Sequence, residues 1–326
     1  MRVLVTGGAG YIGSVVAARL LDSGHEVIIV DDLSTGHEDA VPAGATFRKA
    51  AITDLAELAE RNVDAVIHFA AKSLVGESTR EPAAYWRNNV AGTLALLDAI
   101  RAAGVPKIVF SSSAATYGDQ ERQPITEDAP TRPTSPYGAT KLAIDLALTD
   151  YATSYGLAAV SLRYFNVAGA LQTANGWYGE RHATETHLIP NAIKAVRGEI
   201  EAMRLFGTDY PTPDGTCVRD YIHVVDLADA HIRAFDAATA GTHHVINLGS
   251  GTGSSVREVL DAVGRVAGRP VPVVEAGRRA GDPPVLVASN ARAREVLGWT
   301  PRLGLDRMVD DAWAFERSRE ESLSDG

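Results

Sequence analysis

The sequence predicts an α/β fold: a doubly wound parallel sheet with helices on both faces and a smaller α/β lobe beside it. Three observations predict it. Short Val- and Ile-rich runs alternate with amphipathic segments through the first half of the chain. Those runs are apolar on both faces, as strands are in a parallel sheet covered by helices. A glycine-rich turn joins the first run to the first amphipathic segment, as in dinucleotide-binding sheets.

Taken in order, strands are predicted at Val3–Thr6, Glu26–Asp31, Ala45–Lys49, Ala65–Phe69, Lys107–Ser111 and Ala159–Arg163. Helices are predicted between them at Tyr11–Ser23, Leu55–Arg61, Pro82–Ala103 and Tyr137–Tyr155. Strand and helix taking turns is the mark of a doubly wound, Rossmann-type sheet. The pattern changes after Asn166. Residues Gly169–Thr186 and Gly207–Thr216 are polar or rich in Gly and Pro and read as long loops, which in a compact chain are usually functional. The last third offers strands at Val245–Leu248 and Val271–Glu275 and helices at Ser255–Ala267 and Leu305–Arg317, with a frayed tail from Ser318. The expected division is therefore a nucleotide-binding domain at 1–168 and an interleaved lobe at 169–326. The segment 219–248 is expected to return to the first domain, because Tyr221–Ala238 reads as part of it.

The bulk composition narrows the function. The 326 residues are 45% hydrophobic and 22% charged, as in an ordinary globular protein. A net charge of -10 offers no basic excess for a nucleic-acid or anionic-membrane partner, though a few arginines in one pocket suffice for a small anion. The lone Cys217 makes no internal disulfide, and no Cys/His cluster suggests a metal site. No apolar stretch approaches the roughly 20 residues of a membrane span. The start, Met1-Arg2-Val3-Leu4-Val5, runs into a strand rather than a signal peptide, so a cytoplasmic location is expected.

The glycine turn Gly7-Gly8-Ala9-Gly10-Tyr11-Ile12-Gly13 fits both G-x-G-x-x-G and G-x-x-G-x-x-G. Such glycines permit a tight turn, let the backbone approach a pyrophosphate and let the helix pack close to the sheet. The anion then faces unpaired N–H groups at the helix N-terminus. Asp31 ends the next strand, about 20 residues on, where a carboxylate accepts from a ribose 2′-hydroxyl and repels a 2′-phosphate. NAD is thus favoured over NADP. Asp32 stands next to it as a possible sharer of that role, and otherwise as a solvated turn acid.

Two further segments carry chemistry. The run Ile108–Ser113 is a strand leading into three serines, at the strand end where ligands bind in such sheets. In Ser135-Pro136-Tyr137-Gly138-Ala139-Thr140-Lys141, Tyr137 and Lys141 stand four apart at a helix start and project from one face. A free phenol titrates at about 10, and a neighbouring cation favours the phenolate, which makes Tyr137 a candidate general base near neutral pH.

In this order, the glycine turn, Asp31, Ser113 and Tyr137-x-x-x-Lys141 resemble the extended short-chain dehydrogenases/reductases, and among them the UDP-glucose (UDP-galactose) 4-epimerase family. The likeness extends through His68–Ser78, Asn88–Thr93, Ser111–Gly118, Arg163–Asn166, Thr186–Pro190 and Gly215–His223, most of the chain. It implies Tyr137 as base, Lys141 as its partner and Ser113 as the hydroxyl that bonds the reacting sugar oxygen. It places Gly7, Gly10, Tyr11, Ile12, Gly13, Asp31, Ile52, Phe69, Ala70, Ala71, Lys72, Asn88, Ser111 and Phe165 along bound NAD, together with Tyr137 and Lys141. Around a UDP-sugar it places Asn166, His187, Leu188, Arg219, Arg279 and Asp282, with Ser113 and Tyr137. A guanidinium fork suits a diphosphate, which gives the two arginines a physical role. Their other reading is an ion pair with Asp220 or Asp282. The chain departs from the family at Ala51, where many relatives carry an acid near the adenine, and at Leu286, where the sugar pocket often has tyrosine.

The expected reaction is 4-epimerisation of a UDP-hexose through a transient 4-keto sugar. Other UDP-sugars (N-acetylhexosamine, pentose or uronate) stay open as substrates. A sugar-nucleotide 4,6-dehydratase is the nearest rival, but it needs carboxylates where Ala114-Ala115-Thr116 follow Ser113. A non-catalytic NAD-sensing protein is the remaining alternative. His182 and His187 show no metal-ligand spacing. The resemblance implies a homodimer, with Pro82–Ala103 and Tyr137–Tyr155 as the candidate contact.

Overall fold

Seven strands run parallel in one sheet, in the order His243–Leu248, Ala158–Tyr164, Lys107–Ser113, Ala65–His68, Arg2–Thr6, Glu26–Asp31, Thr46–Lys49. The structure, a computed structural model, describes residues 1–54, 62–279 and 282–324; the helix expected at Leu55–Arg61 lies outside them. From its first strand the chain builds outward through two more, then crosses back to start the other half at Ala65–His68. That reversal opens a crevice at the C-terminal strand ends, where ligands bind in open α/β sheets.

Alternate residues of one strand feed opposite cores, the period-two geometry of a strand. Val3, Val5, Val27 and Ile29 pack with Val15, Val16 and Leu20 of helix Tyr11–Asp22 and with Leu227 and Phe235 of helix Val224–Ala237. Leu4, Ile28 and Val66 face the other way, onto Leu96, Leu97 and Ile100 and onto Ile144 and Leu148 of helix Pro136–Tyr155. Both faces are covered, as the all-apolar runs require. A third cluster joins helices Leu188–Arg197, Val256–Ala267 and Leu305–Ser324 through Ile193, Val196, Val263 and Val309.

Several elements differ from the sequence reading. The predicted strand at Val245–Leu248 begins at His243 and forms the seventh strand of the large sheet. The loop expected at Gly169–Thr186 contains an antiparallel hairpin, Ala170–Thr173 with Gly176–Gly179. Its turn is made by Ala174-Asn175, with the Asn175 N–H donating to Thr173 Oγ1 at 3.1 Å and Gly176 opening the second strand. The helix predicted at Pro82–Ala103 is interrupted by a π segment, Trp86–Ala91. The tail expected to fray continues as helix to Ser324. Arg319–Glu316 at 3.1 Å, and Arg197 reaching Glu316 at 3.6 Å and also Glu320, tie it down.

Candidate active site

The glycine turn sits at the crevice. Gly7 has φ +74°, and a Cβ there would meet Ala70 N at 2.6 Å; a Cβ on Gly13 would penetrate the Gly7 carbonyl. These two contacts bring the first helix hard against the sheet. Gly10 caps that helix, with no side-chain cap and no acid in the first turn, so its leading N–H groups, including those of Tyr11 and Ile12, suit an anion. Asp31 is buried at the end of the second strand. Its carboxylate accepts from Ala9 N–H at 3.0 Å and Leu33 N–H at 2.8 Å. Burial pushes its pKa up, and those two hydrogen bonds pull it back. Each oxygen keeps a lone pair for a further donor. Asp32 turns away to accept from Ser34 N–H at 2.8 Å, the turn-acid role. The donors and the acid thus fit a dinucleotide with a free ribose hydroxyl.

Across the crevice, Phe69 and Ala70 follow the fourth strand, both donating N–H to Thr6 O, at 2.9 and 3.1 Å. Beneath them His68 is buried between Thr6 Oγ1 (2.7 Å) and Thr93 Oγ1 (2.8 Å), its pKa pushed down to about 3 by burial and then by Lys141. The Ala71–Lys72 loop is gripped by Asn89, a residue the sequence reading quoted without a role. Asn89 accepts from Lys72 N–H at 2.8 Å, donates to Lys72 O at 3.0 Å, and also donates to Thr140 Oγ1 at 3.2 Å. Asn88 donates to Asn89 Oδ1 at 3.0 Å. Both asparagines lie on the π segment, a distortion that is frequent at functional sites and was the available signal. Ile52 packs against Gly92, just beyond that segment.

The serine strand and the Pro136–Tyr155 helix meet next. Ser135 caps the helix, accepting from Gly138 N–H at 3.2 Å, and Pro136 opens its first turn. A Cβ on Gly138 would run into Ala115 O, so glycine lets the helix start lie against the turn after Ser113. Lys141 is buried; its Nζ donates to Ser111 O at 2.6 Å and lies 4.7 Å from the Phe110 ring centre and 5.9 Å from that of Tyr137. Ser111 Oγ shares a short hydrogen bond with the Tyr164 hydroxyl. Ser113 Oγ accepts from Ala115 N–H at 3.1 Å and hydrogen-bonds Tyr137.

Burial pushes the Tyr137 phenol up, with the Ser113 hydrogen bond pulling down. Lys141 is itself depressed by burial to about 7, with Asp145 holding it up. Desolvation outweighs the neighbouring cation here, because both groups are removed from water.

The substrate-side residues divide. Asn166 follows Phe165 and Tyr164 out of the sixth strand; its backbone N–H and its side-chain amide both donate to Asp220 O, at 3.0 and 3.2 Å. Arg219 pairs with Asp282 at 3.0 Å and donates to Pro283 O at 2.9 Å, leaving Asp220 to other partners. Asp220 instead accepts from Ser250, Gly251 and Ala288. Leu286 is the direct strand partner of Arg219. Arg279 lies 4.0 Å from the Phe206 ring centre. His187, just before Leu188, caps the Leu188–Arg197 helix. The histidines set aside for lack of metal spacing come together in space: one ligand atom each from Glu180, His182, Glu185 and His187 lies within 4.8 Å of the others. Glu180 binds His187 at 2.5 Å and His182 at 3.2 Å; burial opposes the charge on His187, but its hydrogen bonds to Glu180 and Glu185 carry its pKa up to about 10. Tyr11 closes the same corner, its hydroxyl donating to Gly169 O at 2.6 Å.

Comparison with known proteins agrees with this geometry. The family model described as the NAD dependent epimerase/dehydratase family matches residues 3–249. A UDP-glucose 4-epimerase of Corynebacterium glutamicum is 54% identical over 97% of this chain and 95% of its own. That of Streptomyces lividans is 51% identical over 99% and 98%. The crystal structure of a UDP-glucose 4-epimerase from Stenotrophomonas maltophila, with bound NAD and formylated UDP-arabinopyranose, superimposes with a TM-score of 0.93 at 40% identity, covering 99% of each chain. The chain belongs to the NAD-dependent epimerase/dehydratase family, within the extended short-chain dehydrogenases/reductases and their UDP-glucose 4-epimerases.

Proposed function

We propose that Tyr137 is the acid–base residue of an NAD-dependent 4-epimerisation of a UDP-hexose, with Lys141 and Ser113 as its partners. The observation that carries this reading is the convergence of Tyr137, Lys141 and Ser113 at the end of the serine strand. The overall reaction is that of the family: NAD-dependent interconversion at C4 of a UDP-hexose. NAD, when bound, would supply a reversible acceptor for the C4 hydride, open to either face of the 4-keto sugar, and a positive ring that favours the phenolate. Tyr137 takes the proton of the 4-hydroxyl and gives it back to the same oxygen after the sugar has presented its other face. Ser113 donates to that oxygen and fixes its distance from the phenol. Lys141 holds the cofactor ribose and supplies positive charge behind Tyr137. The glycine turn with Tyr11, Ile12, Asp31, Ile52, Phe69 to Lys72, Asn88, Ser111 and Phe165 makes the NAD cradle. Asn166, His187, Leu188, Arg219, Arg279 and Asp282 make the UDP-sugar side, with the cationic His187 and the arginines facing the diphosphate. We assign the large sheet to residues 1–168 and 219–248 and the sugar-nucleotide lobe to the rest.

The test is conversion of UDP-galactose to UDP-glucose, followed by NMR with no nucleotide added to the purified protein. Conversion is expected, because the cofactor must stay bound for hydride to return. A 4-keto-6-deoxy product would instead make the site a dehydratase. Against that outcome stands the turn after Ser113, built of Ala114-Ala115-Thr116 and without a carboxylate.

A homodimer and a cytoplasmic location belong to the same proposal; the latter rests on the single unpaired thiol, Cys217. No helix among the described residues is long and apolar enough to cross a membrane. Apolar side chains stand exposed on the helices expected at the dimer contact: Trp86 (44%), Leu94 (39%) and Leu146 (61%). They support the proposed contact. The double change Leu94→Glu/Leu146→Glu is expected to yield a monomer in sedimentation equilibrium. Unchanged mass would move the contact elsewhere.

A further inference from the structure

The three consecutive serines at the end of the fifth strand are each held by a different residue of one helix face. Tyr137 engages Ser113, Lys141 engages the carbonyl of Ser111, and Asp145 accepts from Ser112 Oγ at 3.2 Å. Residues 137, 141 and 145 are spaced by four, one above the other on the helix. The proposed function uses the first two and leaves Asp145 without a part.

Asp145 is buried, and so is its partner Arg163, whose Nε and Nη2 donate to Asp145 Oδ2 at 3.0 and 2.7 Å. Arg163 lies over the Tyr117 ring at 4.8 Å, and the Tyr117 hydroxyl donates to Asn247 Oδ1 at 2.7 Å on the seventh strand. The carboxylate is thus anchored to three strands and the helix at once. All the donors fall on Oδ2, while Oδ1 is buried without a hydrogen-bond partner. Half of the anion's capacity is therefore unspent. An acceptor left bare in the interior is costly, so its retention calls for a reason.

We propose that Asp145 is a positioning residue for the reaction: its buried pair with Arg163 fixes the register of the Tyr137–Lys141 face on the serine strand, and its negative charge, one helical turn from Lys141, favours the ammonium form. The inference rests on the reading of Tyr137 and Lys141 given above. The groups around Lys141 leave Asp145 as its source of negative charge. From the fourth strand His68 faces it and is neutral, held well below its ordinary range by burial. From the sixth strand come Tyr164, whose phenol burial keeps protonated, and Arg163, a cation. On its own helix Tyr137 is also held protonated by burial. Glu77, on the helix Val75–Arg80 packed alongside, is bound to Lys72 at 3.3 Å and to the Tyr85 hydroxyl at 2.8 Å. His243 of the seventh strand, near Asp145, is neutral, pushed down to about 4 by burial.

The test uses the holoenzyme with lysine labelled at 13Cε. The chemical shift of Lys141 against pH reads its charge without reference to turnover, and kcat against pH reads the consequence. Asp145→Asn is expected to move the Lys141 titration down by about one pH unit or more, the scale of removing a close opposite charge. The alkaline limb of kcat is expected to move with it, and Asp145→Glu to restore both in part. Asparagine leaves Arg163 as a lone buried cation, which can prevent folding. The double change Asp145→Asn/Arg163→Met removes the pair together and is measured alongside. Superimposable Lys141 titrations in a folded variant and in the unaltered protein overturn the proposal. A shifted titration with an unshifted kcat profile, and full activity in Tyr137→Phe, would uphold the charge relation and overturn the catalytic part assigned to the pair.

Discussion

Tyr137→Phe is expected to lower kcat by about 10³-fold, within the range for loss of a general acid–base group. The expected KM change is small, because the ring remains and only the hydroxyl is lost. Burial holds the phenol above its ordinary pKa, and the Ser113 hydroxyl is the group that eases its ionisation. Phenylalanine removes the proton carrier and leaves the Ser113 hydroxyl with the Ala115 N–H. Stopped-flow absorbance of the bound cofactor, with steady-state turnover of UDP-galactose, separates loss of chemistry from loss of binding. Retention of most of kcat would take the base assignment away from Tyr137 and direct attention to a solvent route past Ser113.

Lys141→Met is expected to cost about 10²-fold in kcat and to change the pH dependence of folding. The sign follows from the direction of the shift. Burial lowers the Lys141 pKa from 10.5 to about 7 in the folded chain. Between those values the unfolded chain holds a proton that the folded chain has given up. Stability therefore rises with pH across that window, by at most about 1.4 kcal/mol per unit. Below pH 7 both states are protonated, and the full cost of the buried ammonium is present. Methionine keeps much of the volume and carries no charge, so its unfolding free energy is expected to be flatter from pH 7 to 9. Urea titrations of both proteins stripped of cofactor check this. Equal slopes would mean that Lys141 stays charged when buried, with Asp145 and the Ser111 carbonyl compensating it in full.

These expectations depend on residues that the sequence and the tertiary structure reveal unequally. The strand–turn–helix of residues 2–22, the carboxylate at Asp31 and the Tyr137/Lys141 pair were legible as local patterns. A parallel sheet needs strands apolar on both faces, a crossover helix needs its own period, and a tight turn needs glycine; each requirement leaves its mark within about a dozen residues. The hairpin, whose turn Ala174-Asn175 is followed by Gly176, carried a local mark as well, but it was obscured by the polar residues around it. What packing alone decided are the partnerships across long separations. Arg219 chose Asp282 over its neighbour Asp220 because the paired strands Val218–Arg219 and Val285–Leu286 bring the guanidinium to the loop before the second strand. Asn89 became the clamp on Lys72, and Asp145 the partner of Arg163, because helices on one face of the sheet meet strand ends that lie far away in the chain. His187 gained its charge from Glu180, seven residues back across a turn, through a contact no spacing rule encodes. The sequence by itself determined the alternation of strands and helices around the glycine turn and offered the candidate reacting groups. Tertiary structure decided their protonation, since burial and long-range partners set the free energy of a charge and neither is a property of neighbouring residues.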